Sequence, residues 1–306
     1  MWLVRLIRLP NLLVIALTQW LIAKQVLGVA YAKANVIPAL NTLELWVLIL
    51  ATAAISAAGY VVNDIADVEI DRVNRPDRLV IGKRINIVLA QRLASGFALL
   101  SFGCSLWLAW RKDELEWLWL YPVFGGLLLA YPRWLKTRPF LGNLWVSICC
   151  AGVLGLVWLA ERAAWAQLSV HYILSTYIVL VSFLTFAFLV TWVREVVKDL
   201  EDRKGDERVG RQTLPIAYGN RFAKGFVLLL TAVLVGLLLI LRWTGLGNRE
   251  PILLDTWSFS LVALAVILSV FLVKSTTNVA YHRISTAWKF YMLGGLFLLF
   301  CFKFFL

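Results

Sequence analysis

Two runs of carboxylates in this chain share one spacing: Asn63-Asp64-x-x-Asp67-x-x-x-Asp71 and Asp199-x-x-Asp202-x-x-x-Asp206. Each stands at the end of a long apolar segment. Of the 18 Asp and Glu residues, 11 fall within positions 64–77 or 195–207. Charges beside membrane spans are expensive unless paired, so such a concentration points to function. In an α-helix, positions i, i+3 and i+7 lie on one face, so Asp64, Asp67 and Asp71 can project into one volume, and Asp199, Asp202 and Asp206 repeat the pattern. Two such faces opposed across a bundle repel each other unless cations lie between them. Magnesium suits the donor set, because it takes oxygen ligands and is usually held by one or two carboxylates together with substrate phosphates and water. All six aspartates are therefore candidate metal ligands, with pyrophosphate completing the set.

The neighbouring cations extend this chemistry. Arg72, Arg75, Arg78, Lys198, Arg203 and Arg211 flank the acidic runs, and a polyphosphate needs guanidinium and ammonium contacts as well as metal. Arg133, Lys136 and Arg138, together with Arg8 and Asn11 near the first apolar run, can add contacts from the same side; the cations among them also serve membrane topology. Asn63, directly before Asp64, is either a metal or phosphate contact or a helix-end amide. A membrane-embedded pyrophosphate site implies a lipid diphosphate whose tail lies among the helices, and isoprenyl diphosphates fit. Metal bound to the leaving group would help break the allylic C–O bond. The allylic cation must then be kept from water, which aromatic walls can do through cation–π attraction. The chain has 15 Trp, 17 Phe and 9 Tyr, but aromatics also form interfacial belts, so none is singled out.

The elements that must position these residues are membrane helices. Hydrophobic residues make up 61% of the 306, and the mean hydropathy is +0.80. Apolar runs recur at Leu12–Ala30, Leu43–Val62, Leu89–Trp110, Leu115–Tyr131, Phe140–Ala160, Tyr172–Val193, Phe222–Leu241, Trp257–Val273 and Ala287–Leu306. Most are long enough to cross about 30 Å of hydrocarbon. The expectation is an all-α, nine-spanning bundle around a central cavity, forming a single domain over residues 1–306. The N-terminus and alternate loops hold 22 of the 30 Lys and Arg residues, which predicts a cytoplasmic N-terminus with both acidic runs on its side. The first run follows Arg5 and Arg8 as in a signal peptide. No small-residue cleavage site precedes Gln19 and Lys24, so it is expected to stay as a helix.

The net charge of +12 accompanies no soluble nucleic-acid module, so orientation and phosphate binding explain it better. Cys104, Cys149, Cys150 and Cys301 lie in apolar runs without metal spacing and read as packing residues. Gln19, Asn143 and Lys289 are polar residues in or beside spans, suited equally to lining the site and to helix-packing hydrogen bonds. His171 and His282 read as interfacial. Each acidic run is followed by a basic, turn-rich segment, an echo of repeated halves facing a central site.

Asn63-Asp64-Ile-Ala-Asp67-Val-Glu-Ile-Asp71-Arg-Val-Asn74-Arg75-Pro76 and Asp202-Arg-Lys-Gly-Asp206 resemble the two acidic motifs of the UbiA superfamily of intramembrane prenyltransferases. The resemblance covers nearly the whole chain. It implies that Asn63, Asp64, Asp67, Asp71, Asp202 and Asp206 bind magnesium and prenyl diphosphate, with Asp199 an upstream member, and that Arg72, Lys136 and Lys198 touch the diphosphate. Asn74–Arg78, the segment from Arg194 to Asp206 and Thr213-Leu-Pro215 look most like digeranylgeranylglyceryl phosphate synthases, which join geranylgeranyl to the hydroxyl of geranylgeranylglyceryl phosphate. Leu79-Val-Ile81-Gly82-Lys83 departs from the Pro-x-Pro-Ser-Gly run common there, which leaves aromatic quinone precursors, chlorophyllide or haem as alternative acceptors. CDP-alcohol phosphotransferases would show an Asp-Gly followed by Ala-Arg in one cluster, which is absent. A transporter would place its carboxylates near midplane.

Overall fold

The computed structural model describes residues 2–74, 79–114, 123, 125–127, 130–243 and 251–301. The main helices are α1 (Trp2–Leu6), α2 (Leu9–Ala34), α3 (Thr42–Ala66), α4 (Val68–Asn74), α5 (Ile87–Lys112), α6 (Leu141–Ala160), α7 (Val170–Arg208), α8 (Gly219–Trp243), α9 (Pro251–Lys274) and α10 (Asn278–Cys301). No strand occurs among the described residues. Seven of these helices, α2, α3 and α5–α9, are long and apolar enough to cross a membrane. The 24-residue α10 holds most of the ninth expected span. The fourth, Leu115–Tyr131, falls largely outside the described residues.

Two compact units emerge. The first comprises Met1–Trp20, Leu40–Arg138 and Lys204–Arg211. Its framework is the pairing of α3 with α5. The buried positions of α5 are Ala90, Ala94, Ser101, Ser105 and Ala109, and α3 buries Ala51, Thr52, Ala54, Ala57 and Ala58 among others. In lipid the hydrophobic effect does not drive helices together, so small residues that permit close backbone approach, and hydrogen bonds between helices, do the work. Ser101 Oγ donates to the Ala51 carbonyl at 2.8 Å, and Gln19 Nε2 donates to Thr52 Oγ1 at 3.1 Å. Asn41 and Glu44 form a reciprocal capping box that starts α3. Glu44 also takes Lys112 Nζ at 2.6 Å, tying the start of α3 to the end of α5. The segment from Leu79 folds back as a turn, with Gly82 N donating to the Ile85 carbonyl at 2.8 Å. It buries Val80, Ile81 and Ile85 against Leu6, Val61, Ala90 and Ala94, so this divergent stretch is a packed apolar plug at the end of α3.

The second unit comprises Leu21–Ala39, Pro139–Arg203 and Gln212–Leu306. Its core runs from Phe186, Val190, Val193 and Val197 on α7 to Leu234 on α8, Ala265 on α9 and Trp288 and Tyr291 on α10. Phe186 stacks on Tyr291 with ring centroids 5.8 Å apart. Gly295 is required beside that stack, since a Cβ there would lie 2.1 Å from Phe186 Cε1. At the other end, Glu161 accepts from the Ala39 amide at 2.8 Å, while its carbonyl accepts from Tyr31 Oη at 3.3 Å.

With 39 residues, α7 is about 58 Å long at 1.5 Å per residue, well beyond about 30 Å of hydrocarbon. The sequence expectation ended this span at Val193. The helix continues to Arg208, so Asp199, Asp202 and Asp206 lie on it, in keeping with their helical spacing.

Candidate active site

The first acidic run straddles a helix end. Asp64 sits in the last turn of α3, Asp67 caps it with φ −95° and ψ 1°, and Asp71 lies on α4. One helix ends and the next begins at Asp67, yet hydrogen bonds continue through it. Asp67 N donates to the Asn63 carbonyl at 3.0 Å and Asp71 N to the Asp67 carbonyl at 2.8 Å.

Cations of the chain itself gather on these carboxylates. Arg8 donates to Asp64 Oδ1 at 2.8 Å, and its guanidinium lies over the Tyr60 ring at 4.8 Å. Its backbone has φ +50°, a left-handed conformation costly for a non-glycine residue and often found at functional sites. Asn11 reaches this group through Tyr60 Oη at 3.5 Å. Lys136 follows the turn Tyr131–Leu135 and donates to Asn63 Oδ1 at 2.9 Å and to Asp67 Oδ2. Asn63 Nδ2 donates to the same Asp67 oxygen at 2.9 Å.

Arg211 joins the two acidic runs. Its Nη2 donates to Asp67 Oδ1, and its Nη1 lies 3.4 Å from Asp206 Oδ1. The local reason is the way α7 ends. Gly210 takes φ +72°, the Arg211 amide donates to the Asp206 carbonyl at 3.0 Å and the Gly210 amide to the Glu207 carbonyl at 3.2 Å. This glycine-terminated helix end folds the chain back so that Arg211 stands beside Asp206. All three side chains are buried. Burial by itself would raise the carboxyl of Asp67, but the charges and hydrogen bonds of Lys136 and Arg211 pull it down to about 2. Burial likewise works against the charge on Arg211, and Asp67 and Asp206 more than offset it, raising the guanidinium above its ordinary value.

The other expected site residues are placed as follows. Asp199 accepts from Asn143 Nδ2 at 2.7 Å, so Asn143 serves a carboxylate of the second run. Asp71, Asp202 and Lys198 are half-buried. Arg203 donates to Asn220 Oδ1 at 2.7 Å. Arg72 is exposed and pairs with Glu69 at 2.8 Å, so its guanidinium is engaged with the neighbouring turn of α4. Arg75 lies outside the described residues. His282, expected to be merely interfacial, has Nδ1 2.9 Å from Glu201 Oε1.

The donors present are carboxylate oxygens, the kind a divalent ion takes. Among the described residues no three Asp, Glu, His or Cys side chains form a ready-made metal cage. Asp67 and Asp206, from different runs, nevertheless converge on one guanidinium. Such hard oxygen donors are what magnesium commonly uses.

The description of the UbiA prenyltransferase family matches residues 25–301. The chain belongs to this family. A digeranylgeranylglyceryl phosphate synthase of Ignicoccus hospitalis is 38% identical over 171 residues, which cover 56% of this chain and 53% of the relative. One of Pyrococcus abyssi is 33% identical over 223 residues, 72% of this chain and 73% of the relative. The chain spans about half the length of the first curated relatives it matches. A solved structure described as that of a digeranylgeranylglyceryl phosphate synthase superposes with a TM-score of 0.66 at 20% identity, covering 100% of this chain and 98% of that one. A UbiA homologue from Archaeoglobus fulgidus bound to DMAPP and Mg2+ superposes with a TM-score of 0.56 at 16% identity, covering 98% and 99%. Both share the all-α fold of this UbiA-family chain.

Sequence reasoning counted Arg211 among several flanking cations but did not single out its bridging role. The available signal was Gly210, a helix-stopping residue placed just after the second acidic run.

Proposed function

We propose that this UbiA-family protein is a magnesium-dependent intramembrane prenyltransferase that moves geranylgeranyl from its diphosphate to the free hydroxyl of geranylgeranylglyceryl phosphate, forming an ether. The meeting of Asp67 and Asp206 on Arg211 supports this reading, because one carboxylate of each acidic run then lies against the same guanidinium. The relatives named as digeranylgeranylglyceryl phosphate synthases support the acceptor.

In this reading Asp64, Asp67, Asp71, Asp199, Asp202 and Asp206 hold the metal and its water shell. Asn63, Lys136, Lys198, Asn11, Arg72 and Arg75 bind diphosphate oxygens. Bound magnesium supplies Lewis-acid stabilisation of the pyrophosphate leaving group. Lys136 and Arg211 add fixed positive charge where negative charge grows as the allylic C–O bond breaks. Asn143 holds Asp199 in place from α6. The acceptor oxygen bonds to the allylic carbon, pyrophosphate departs with the electrons of the broken bond, and the hydroxyl proton is lost. The chain acts as one transmembrane domain with its prenyl tail in a cavity open to the bilayer. It sits in the cell membrane with its N-terminus and acidic runs on the cytoplasmic side, as the distribution of Lys and Arg indicates.

The test is incubation of purified protein with magnesium, labelled geranylgeranyl diphosphate and a panel of acceptors, with products identified by mass. The expected product is the digeranylgeranyl ether, lost in Asp64→Ala and Asp202→Ala. An aromatic prenylation product would replace the acceptor assignment. No product from any acceptor, with the variants behaving like the parent, would remove the catalytic one.

A further inference from the structure

Asp67 is enclosed by donors: Lys136 and Asn63 occupy one carboxylate oxygen and Arg211 the other. Arg211 also reaches Asp206, and both of its partners are buried. One planar guanidinium thus lies against carboxylates of both acidic runs. If those carboxylates are metal ligands, as the function proposed above requires, Arg211 and the metal compete for the same negative charge.

We propose that Arg211 is a resident counter-cation, which holds Asp67 and Asp206 together while no metal is bound and yields Asp67 when magnesium enters with the diphosphate. Two buried carboxylates left without a cation repel each other and bear a large desolvation cost. A guanidinium satisfies both through its rigid fork, at half the charge of a divalent ion. Metal entry is then an exchange of cations, which keeps the two runs assembled between turnovers. Once released, the guanidinium has the geometry to grip a phosphate oxygen in bidentate fashion, so the same residue positions the diphosphate.

The exchange has a sign that a simple structural staple lacks. With Arg211 neutralised, the carboxylates retain their charge and lose their internal competitor, so metal binding in the absence of any diphosphate becomes tighter. A staple predicts the opposite, since losing it scatters the ligands.

The experiment is a titration of the purified full chain in lipid nanodiscs with Mn2+, read by electron paramagnetic resonance of the free ion, without diphosphate. Arg211→Gln is expected to bind about tenfold more tightly than the parent, the ratio equivalent to about 1.4 kcal/mol. Arg211→Lys, whose ammonium cannot fork across two carboxylates, is expected to bind about threefold more tightly. It also serves as the folded comparison where the glutamine variant does not assemble. Adding magnesium should raise the thermal midpoint more in Arg211→Gln than in the parent. With geranylgeranyl diphosphate added, the parent should bind the donor more tightly than either variant. Unchanged or weaker Mn2+ affinity in the variants overturns the exchange while leaving the metal–diphosphate site intact. If the parent binds no Mn2+ even with geranylgeranyl diphosphate, and Asp67→Asn is indistinguishable from it, the functional reading fails and the exchange with it.

Discussion

Replacing Lys136 by Met removes an ammonium from Asp67 while keeping most of the aliphatic stem, so it isolates charge from packing. Lys136 and Asp67 are largely shielded, with side-chain exposures of 17% and 11%. The fall of the Asp67 carboxyl from 3.8 to about 2 corresponds to roughly 2.5 kcal/mol, at about 1.4 kcal/mol per factor of ten in proton affinity. That figure is the net gain after burial has been offset, and it is shared between Lys136 and Arg211. Lys136 heads the charges that lower the carboxyl, so its own coupling to Asp67 should be about 1–2 kcal/mol, in line with hydrogen bonds to charged groups. A buried charge left without any partner would cost about 3–5 kcal/mol, but Arg211 and Asn63 remain on Asp67, and the loss in Lys136→Met should stay below that. The assay is a double-mutant cycle of Lys136→Met and Asp67→Asn, read from chemical denaturation midpoints in mixed micelles. Additivity within about 0.5 kcal/mol, the behaviour of independent sites, would refute the pairing as an energetic feature of the folded protein.

The same carboxylate sets an acid limit. Because its folded value is depressed, Asp67 contributes stability that is fully present above about 4 and is lost as pH falls towards about 2; in Lys136→Met the folded value moves back towards the ordinary one, so the unfolding free energy should fall less between those limits, seen in denaturation series at several pH values by circular dichroism. A fall as large as the parent's would show that Lys136 does not hold the carboxyl down. In the second unit, Gly295→Ala would force a methyl to within 2.1 Å of the Phe186 ring, and overpacking of this kind typically costs about 1–3 kcal/mol. The thermal midpoint should fall and be partly restored by adding Phe186→Leu; failure of the second change to rescue the first would place the strain elsewhere.

Much of the fold was legible because its causes are local. Apolar runs of membrane length mark helix bodies through hydropathy, which depends on neighbours in the chain. The acidic spacing could likewise be recognised as helical. The helix boundary at Asp67 was not visible, because nothing in Asn63–Asp71 is a helix breaker. Leaving the hydrocarbon ends the apolar run of α7 at Val193, while Arg194–Arg208 contains good helix formers that continue the hydrogen-bond ladder in water. Arg72 and Lys136 were indistinguishable as flanking cations until the fold paired one with exposed Glu69 and the other with buried Asp67.

The sequence by itself determined that this is a polytopic helical membrane protein with two matched acidic runs at helix ends, and that determination rests on periodicity and hydropathy. Only the tertiary structure decided which cation answers which carboxylate. Arg8 meets Asp64 across 56 positions, Lys136 meets Asp67 across 69, and Arg211 meets it across 144. Charge attraction within a folded site depends on distance and burial rather than chain separation. Many basic residues were chemically eligible, and the packing of the first unit selected among them.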